Sequence, residues 1–386
     1  MVERDEALDL HSKNPGKISV KPSVEIGTRQ DLNLVYTPGV AEPCIEIDKD
    51  REKAYEYTSK GNLVAVVSDG SAVLGLGDIG PEASMPVMEG KANLMKKFGE
   101  VNGFPVCINA DSAEDIIEHV EREAPTYGAV NLEDIKAPRC FKAEEALKKK
   151  LDIPVFHDDQ HGTAIVVLAA LKNALEIAGK DLSSVRIAIS GAGASGIAVA
   201  NFLQEAGAEE IVPVDSSGIL RTDDENSYKA DLAGRTQASK EQGDLSDAME
   251  DADVFIGLSA PGIVSEDMVE AMAEDPTVFA LANPDPEILP EDAREAGTFI
   301  TATGRSDFNN QVNNSLAFPG VFRGALDVKA STINEEMKEA ASEAIRSFID
   351  PEKEKIVPET LDKELAMEIA DEVAEAARET GVARER

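Results

Sequence analysis

From residue 185 onward, short apolar runs rich in β-branched and aromatic residues alternate with longer stretches of helical periodicity. RIAIS (186–190), EIVPVD (210–215), DVFIGLS (253–259), TVFALAN (277–283) and TFITATG (298–304) read as strands. Between them, 194–206 and 265–273 read as helices, the second opening on Ser265 and two acids as a capped N-terminus does. This rhythm predicts a parallel sheet wrapped by helices. The first half alternates less cleanly, with strands at 62–68, 104–110, 128–132 and 153–157, and predicts a second α/β unit. A long apolar helix over 163–178 links the halves, and 331–349 and 361–379 read as amphipathic helices that pack on the rest. The expected division is residues 1–160 and 161–386, with C-terminal helices over 331–386.

Charge narrows the classes. With 38 Lys and Arg against 74 Asp and Glu, the chain carries a formal −36. There are 19 basic and 30 acidic residues up to residue 160 and 19 and 44 beyond it, or −11 and −25, so the excess is diffuse. Such a surface repels a phosphate backbone, which excludes nucleic-acid binding, and fits adaptation to high salt or a merely acidic protein. The longest uninterrupted apolar run, 164–171, is too short to span a bilayer, and the N-terminal stretch lacks the apolar core of a signal peptide. The expectation is therefore no membrane segment. Cys44, Cys107 and Cys140 lack metal-ligand spacing and read as reduced, buried thiols of a cytoplasmic protein.

Two glycine clusters differ in context. Gly191, Gly193 and Gly196 follow a strand and open a helix, and Asp215 ends the next strand. That is the dinucleotide-binding context: a tight turn at Gly191, close approach of a pyrophosphate at Gly193, and helix packing at Gly196. With Ala192, Ala194 and Ser195 they form the cofactor loop of a Rossmann-type, doubly wound domain. The Asp215 carboxylate suits a ribose hydroxyl and leans towards NAD, while Ser216, Ser217 and Arg221 leave NADP open. The second cluster, Gly75, Gly77 and Gly80, is followed at once by Pro81. No amphipathic helix is expected at its glycines, and it reads as a tight turn that lets backbones approach.

Two acidic pairs, Glu133–Asp134 and Asp158–Asp159, end the strands at 128–132 and 153–157. Ligands of open α/β sheets bind beyond such carboxyl edges. Acids gathered there are either solvated loop residues or ligands of a divalent cation, and all-oxygen ligation suits Mg²⁺ or Mn²⁺. His157 on the strand and His161 before a helix expected only after Gly162 do not share a helical face, which argues against zinc.

Taken together, YTPGVAEPC (36–44), VMEGKA (87–92), NLEDI (131–135), FHDDQHGTA (156–164), GAGASG (191–196), NPDPEI (283–288) and QVNNSLAFPG (311–320) resemble the malic enzyme family, in its short prokaryotic form. The resemblance implies an N-terminal substrate and metal domain, then the dinucleotide domain, and assembly as a homodimer or higher homo-oligomer. It also implies that a fused phosphotransacetylase-like domain is absent. By position in these motifs it makes Tyr36 the general acid and Lys91 the general base. It makes Glu133, Asp134 and Asp159 the metal ligands, and Asn283 and Asn314 contacts of substrate or cofactor. The expected reaction is metal-dependent oxidative decarboxylation of (S)-malate to pyruvate and CO₂ with NAD(P)⁺, together with decarboxylation of oxaloacetate. Where larger relatives carry a substrate arginine after an Asp-Gly, this chain has Asp69, Gly70, Ser71 and Ala72.

The residue chemistry agrees with that reaction. A cation that chelates the malate hydroxyl acidifies it, and a lysine whose pKa is lowered by burial and the cation takes the proton; hydride then passes to the nicotinamide. Two other classes stay open at this stage. An amino-acid dehydrogenase would not need the carboxylates, and a nucleotide-sensing module would bind cofactor without turnover.

Overall fold

A computed structural model describes residues 4–14, 16–360 and 362–384. It holds two sheets. The first joins β1 (Leu63–Ser68), β2 (Asn102–Cys107), β3 (Ala129–Leu132) and β4 (Val155–His157), all parallel, in the order β2-β1-β3-β4. The second contains β5 (Arg186–Ser190), β6 (Glu210–Asp215), β7 (Gly218–Ile219), β8 (Val254–Gly257), β9 (Thr277–Ala280) and β10 (Ile300–Thr303). Its order is β10-β9-β8-β5-β6-β7, parallel except for β7. β1, β3, β5 and β8 are buried almost throughout because helices cover both faces, which is why they read as continuous apolar runs. The expected α/β class with a doubly wound second sheet holds.

In each sheet the chain order reverses once, between β1 and β3 in the first and between β5 and β8 in the second. Loops that leave neighbouring strands in opposite directions open a crevice at these points. Both crevices supply walls of one cleft of about 1400 Å³.

Several elements depart from the sequence reading. The glycines at 75–80 do lead into a helix, Pro81–Gly99. Pro81 lies in its first turn, where a missing N–H costs nothing, and Pro86 lies inside it. The loop itself is the close approach expected: a Cβ on Gly75 would lie 2.7 Å from the Asn283 carbonyl oxygen. The linking helix begins at Asp158, not after Gly162, and runs to Ala178. By length and composition it could cross a membrane, but two-thirds of its apolar window is buried in the molecule. The 331–349 segment becomes helical only at Glu335, after Asn334 caps it. Residue 361, the start expected for the last helix, lies outside the described residues, and that helix runs Lys363–Glu379. It packs against helices Phe318–Asp327 and Pro81–Gly99, while Glu335–Ser347 packs on Asp158–Ala178. Of the cysteines only Cys140 is buried; Cys107 is half-buried and Cys44 exposed, and none forms a disulfide.

Candidate active site

Glu133 and Asp134 follow β3 where the chain turns, with Asp134 at φ 54°. That turn lets both side chains face one centre, which an extended strand would forbid. Asp159 comes from the first turn of helix Asp158–Ala178, and its Oδ2 accepts the Asp134 N–H at 2.9 Å. One carboxylate oxygen from each of the three lies within 4.8 Å of the others. Burial and the neighbouring carboxylates raise Glu133 well above the usual range. Such crowding of hard anionic oxygens suits a Mg²⁺- or Mn²⁺-sized cation, whose charge would relieve it.

Lys91, from helix Pro81–Gly99, is buried between two acids. Its Nζ donates to Asp158 Oδ2 and lies 3.1 Å from Glu133 Oε1, 4.4 Å from the Phe318 ring centroid. Burial alone would lower its pKa, but Asp158 and Glu133 outweigh burial and raise it. The lowered lysine expected from sequence is therefore not the state of the chain by itself. Asp158 is fully buried, and Gly162 provides its space: a Cβ there would overlap the Asp158 carboxylate.

His157 Nε2 lies 3.1 Å from Asp159 Oδ2, and its Nδ1 bonds Gln160. His161 sits on the helix and turns away to Glu144 at 2.8 Å and Lys338 at 3.2 Å. The two rings do not converge on one ion.

Across the cleft, Gly191 (φ 108°) begins the turn after β5. Ala192, Gly193, Ala194 and Ser195 line the cleft with it. Gly196 is buried, and a Cβ there would overlap the Gly191 carbonyl. Asp215 ends β6 and lines the cleft; its Oδ1 accepts the Ser217 N–H at 2.7 Å and its Oδ2 pairs with Lys229. Arg221 instead pairs with Asp223, so Lys229 is the cation beside Asp215, a residue the sequence reading missed. Asn283 and Asn314 also line the cleft. Tyr36 does not. It caps helix Arg29–Val35 and is 67% exposed.

A carboxylate triad facing a glycine-rich loop across one cleft is the arrangement that a metal-dependent oxidoreductase using a nicotinamide nucleotide would need. Comparison with known proteins makes the class specific. Residues 15–115 match the family model "Malic enzyme, N-terminal domain" and 160–378 match "Malic enzyme, NAD binding domain". The bifunctional malic/malolactic enzyme of Bacillus subtilis is 54% identical over 99% of this chain and 94% of its own. The NAD-dependent malic enzyme of Geobacillus stearothermophilus is 52% identical over 96% and 78%. The solved malic enzyme of Pyrococcus horikoshii superposes with a TM-score of 0.95 at 50% identity, over 99% of this chain and 92% of that one. The chain belongs to the malic enzyme family, and as such is an NAD(P)-dependent, decarboxylating malate dehydrogenase.

Proposed function

We propose that the chain binds (S)-malate and NAD(P)⁺ together in the cleft and converts malate to pyruvate and CO₂, passing the C2 hydride to the nicotinamide. The observation that carries this reading is that the Glu133–Asp134–Asp159 cluster and the Gly191–Gly196 loop face the same cavity. In this reading residues 1–160 are the catalytic and metal domain, and 161–386 the dinucleotide domain with the C-terminal helices. Glu133, Asp134 and Asp159 hold Mg²⁺ or Mn²⁺. Bound there, the cation supplies positive charge that acidifies the C2 hydroxyl and offsets the charge that develops as CO₂ leaves.

Lys91, once it has released its own ammonium proton to solvent, takes the C2 hydroxyl proton. Asp158 and Glu133 keep the lysine protonated in the chain alone, and removing Glu133 from that pairing lowers its hold on the proton. Asn283 and Asn314 orient substrate and nicotinamide. Asp215 favours the ribose hydroxyl of NAD⁺, and Lys229 beside it is placed to accept a 2′-phosphate.

Tyr36 protonates C3 of the enolpyruvate from a second copy of the chain. Among the described residues of 16–63 none is buried, and Val20, Val24, Ile26, Leu32, Leu34 and Tyr36 present apolar surface to solvent. A run of that kind marks an association surface, and it supports a homodimer in which each copy completes the other's site. The free cysteines fit a reducing cytoplasm.

The test is an assay of the purified protein with (S)-malate, either nicotinamide cofactor and either metal. Equal yields of pyruvate and reduced cofactor, abolished by a chelator, are expected. Oxidation of an amino acid without metal would instead make it an amino-acid dehydrogenase, and cofactor binding without malate turnover a nucleotide sensor.

A further inference from the structure

We propose that Lys136 holds the distal carboxylate of malate, the one released as CO₂; this rests on the malate reading above. The substrate is a dianion. A cation on the acidic cluster would engage the C1 carboxylate and C2 oxygen end, so the distal charge needs a separate partner, and Asp69-Gly70-Ser71-Ala72 supplies no cation.

Three lysines line the cleft: Lys91, Lys136 and Lys229. Lys91 lies between Asp158 and Glu133, and Lys229 pairs with Asp215 on the dinucleotide side. Lys136 is exposed and has no carboxylate partner among the described residues. The cation nearest it in sequence, Arg139, is engaged by Asp69 and by the carbonyls of Ala110 and Asp111. That network also fixes Lys136. Arg139 holds Asp69, Asp69 accepts the Ser71 hydroxyl, and Ser71 Oγ accepts the Lys136 N–H at 2.9 Å. The backbone is thus anchored two residues beyond Asp134, at the crevice between β1 and β3, while the ammonium stays free for an anion.

A solvated lysine suits this role better than a rigid bidentate arginine. As the C3–C4 bond breaks, its electron pair stays on C3 and the carboxylate becomes neutral CO₂. A cation at C4 therefore stabilises bound substrate more than the transition state, and a tight hold would slow decarboxylation. Loss of Lys136 should therefore raise KM without slowing CO₂ loss.

The experiment compares wild type, Lys136→Met and Lys136→Arg in malate oxidation, oxaloacetate decarboxylation and inhibition by oxalate, which binds at a metal without a distal carboxylate. In Lys136→Met, KM for malate and oxaloacetate is expected to rise about tenfold to a hundredfold, the loss of one charge-assisted hydrogen bond. The kcat for oxaloacetate should hold or rise. Oxalate inhibition and the KM for NAD(P)⁺ should stay within about twofold, showing an intact fold, and Lys136→Arg should recover most of the malate affinity. An unchanged malate KM, or equal weakening of malate and oxalate, would overturn the assignment. Failure of wild type to oxidise malate would instead overturn the reading on which it rests.

Discussion

Gly193 and Gly196 look alike in sequence yet should fail in different ways when replaced by alanine. At Gly196 a Cβ would lie 2.8 Å from the Gly191 carbonyl carbon and closer still to its oxygen, so the helix must move off β5. Overpacking of this kind costs roughly 1–3 kcal/mol. In a domain of about 200 residues that lowers Tm by several degrees. At Gly193 nothing lies within 4 Å of a built Cβ, and its φ of −87° is open to any residue. There the lost freedom of the unfolded chain and the poorer N-cap roughly cancel, leaving stability within about 1 kcal/mol. If the pyrophosphate rests on this backbone, however, the added methyl occupies its place and breaks one or two charge-assisted bonds of about 1.5–3 kcal/mol each. Cofactor affinity should then fall about a hundredfold. Thermal melts report the fold, and NADH or NADPH fluorescence reports binding without interference, because the chain has no tryptophan. Gly196→Ala should lose both stability and binding, and Gly193→Ala binding alone. A Gly193→Ala protein that binds cofactor normally would refute the close approach on which the cofactor assignment depends.

Mixing inactive Tyr36→Phe and Lys91→Ala proteins under conditions of subunit exchange should restore up to about a quarter of wild-type activity, since half the dimers would carry one complete site. No recovery in demonstrated heterodimers would place Tyr36 in its own chain's site. Partial desolvation of the solvent-facing Glu205, then repulsion from Glu335, raises it from 4.5 to about 7, with Lys338 opposing and Glu339 adding to the shift. The stability carried by its protonated form is complete below about pH 4.5 and lost as pH rises through about 7. Denaturant melts should therefore show Glu205→Gln more stable than wild type at pH 8 and equal to it at pH 4; equal stability at both would remove the shift. With −36 spread over both halves, Tm should climb from dilute buffer to molar KCl as the Debye length falls below about 10 Å, and a flat curve would contradict adaptation to salt.

The strands were legible because parallel strands covered on both faces must be apolar throughout, and RIAIS or NLVAVVS admit few other fates. The dinucleotide loop was legible because each of its glycines answers a local steric demand. Helix Pro81–Gly99 was hidden by the glycines before it and by Pro86 inside it, although it carries Lys91. The start of helix Asp158–Ala178 was hidden because its first residues, Asp-Asp-Gln-His-Gly, look like a loop. They turn inward to Lys91, Asp134 and Glu144, so polarity there marks a site and not a surface. Gly162 was the available clue, since a glycine one turn after Asp158 leaves room for a buried carboxylate. Lys229 at Asp215 and the exposed position of Tyr36 depend on tertiary placement, on which periodicity is silent.

The central claim, that Glu133, Asp134 and Asp159 hold the cation on which malate oxidation depends, is tested most directly by Mn²⁺ titration of wild type and Asp159→Asn, with turnover measured on the same samples. Wild type should bind one Mn²⁺ per chain. Asp159→Asn should bind it at least about a hundredfold more weakly, a direct ligand mattering no less than the outer partners of metal sites, and should lose malate oxidation in parallel while keeping NAD(P)H binding. Wild-type Mn²⁺ affinity in Asp159→Asn, or full malate turnover by the wild-type protein in excess chelator, would contradict it.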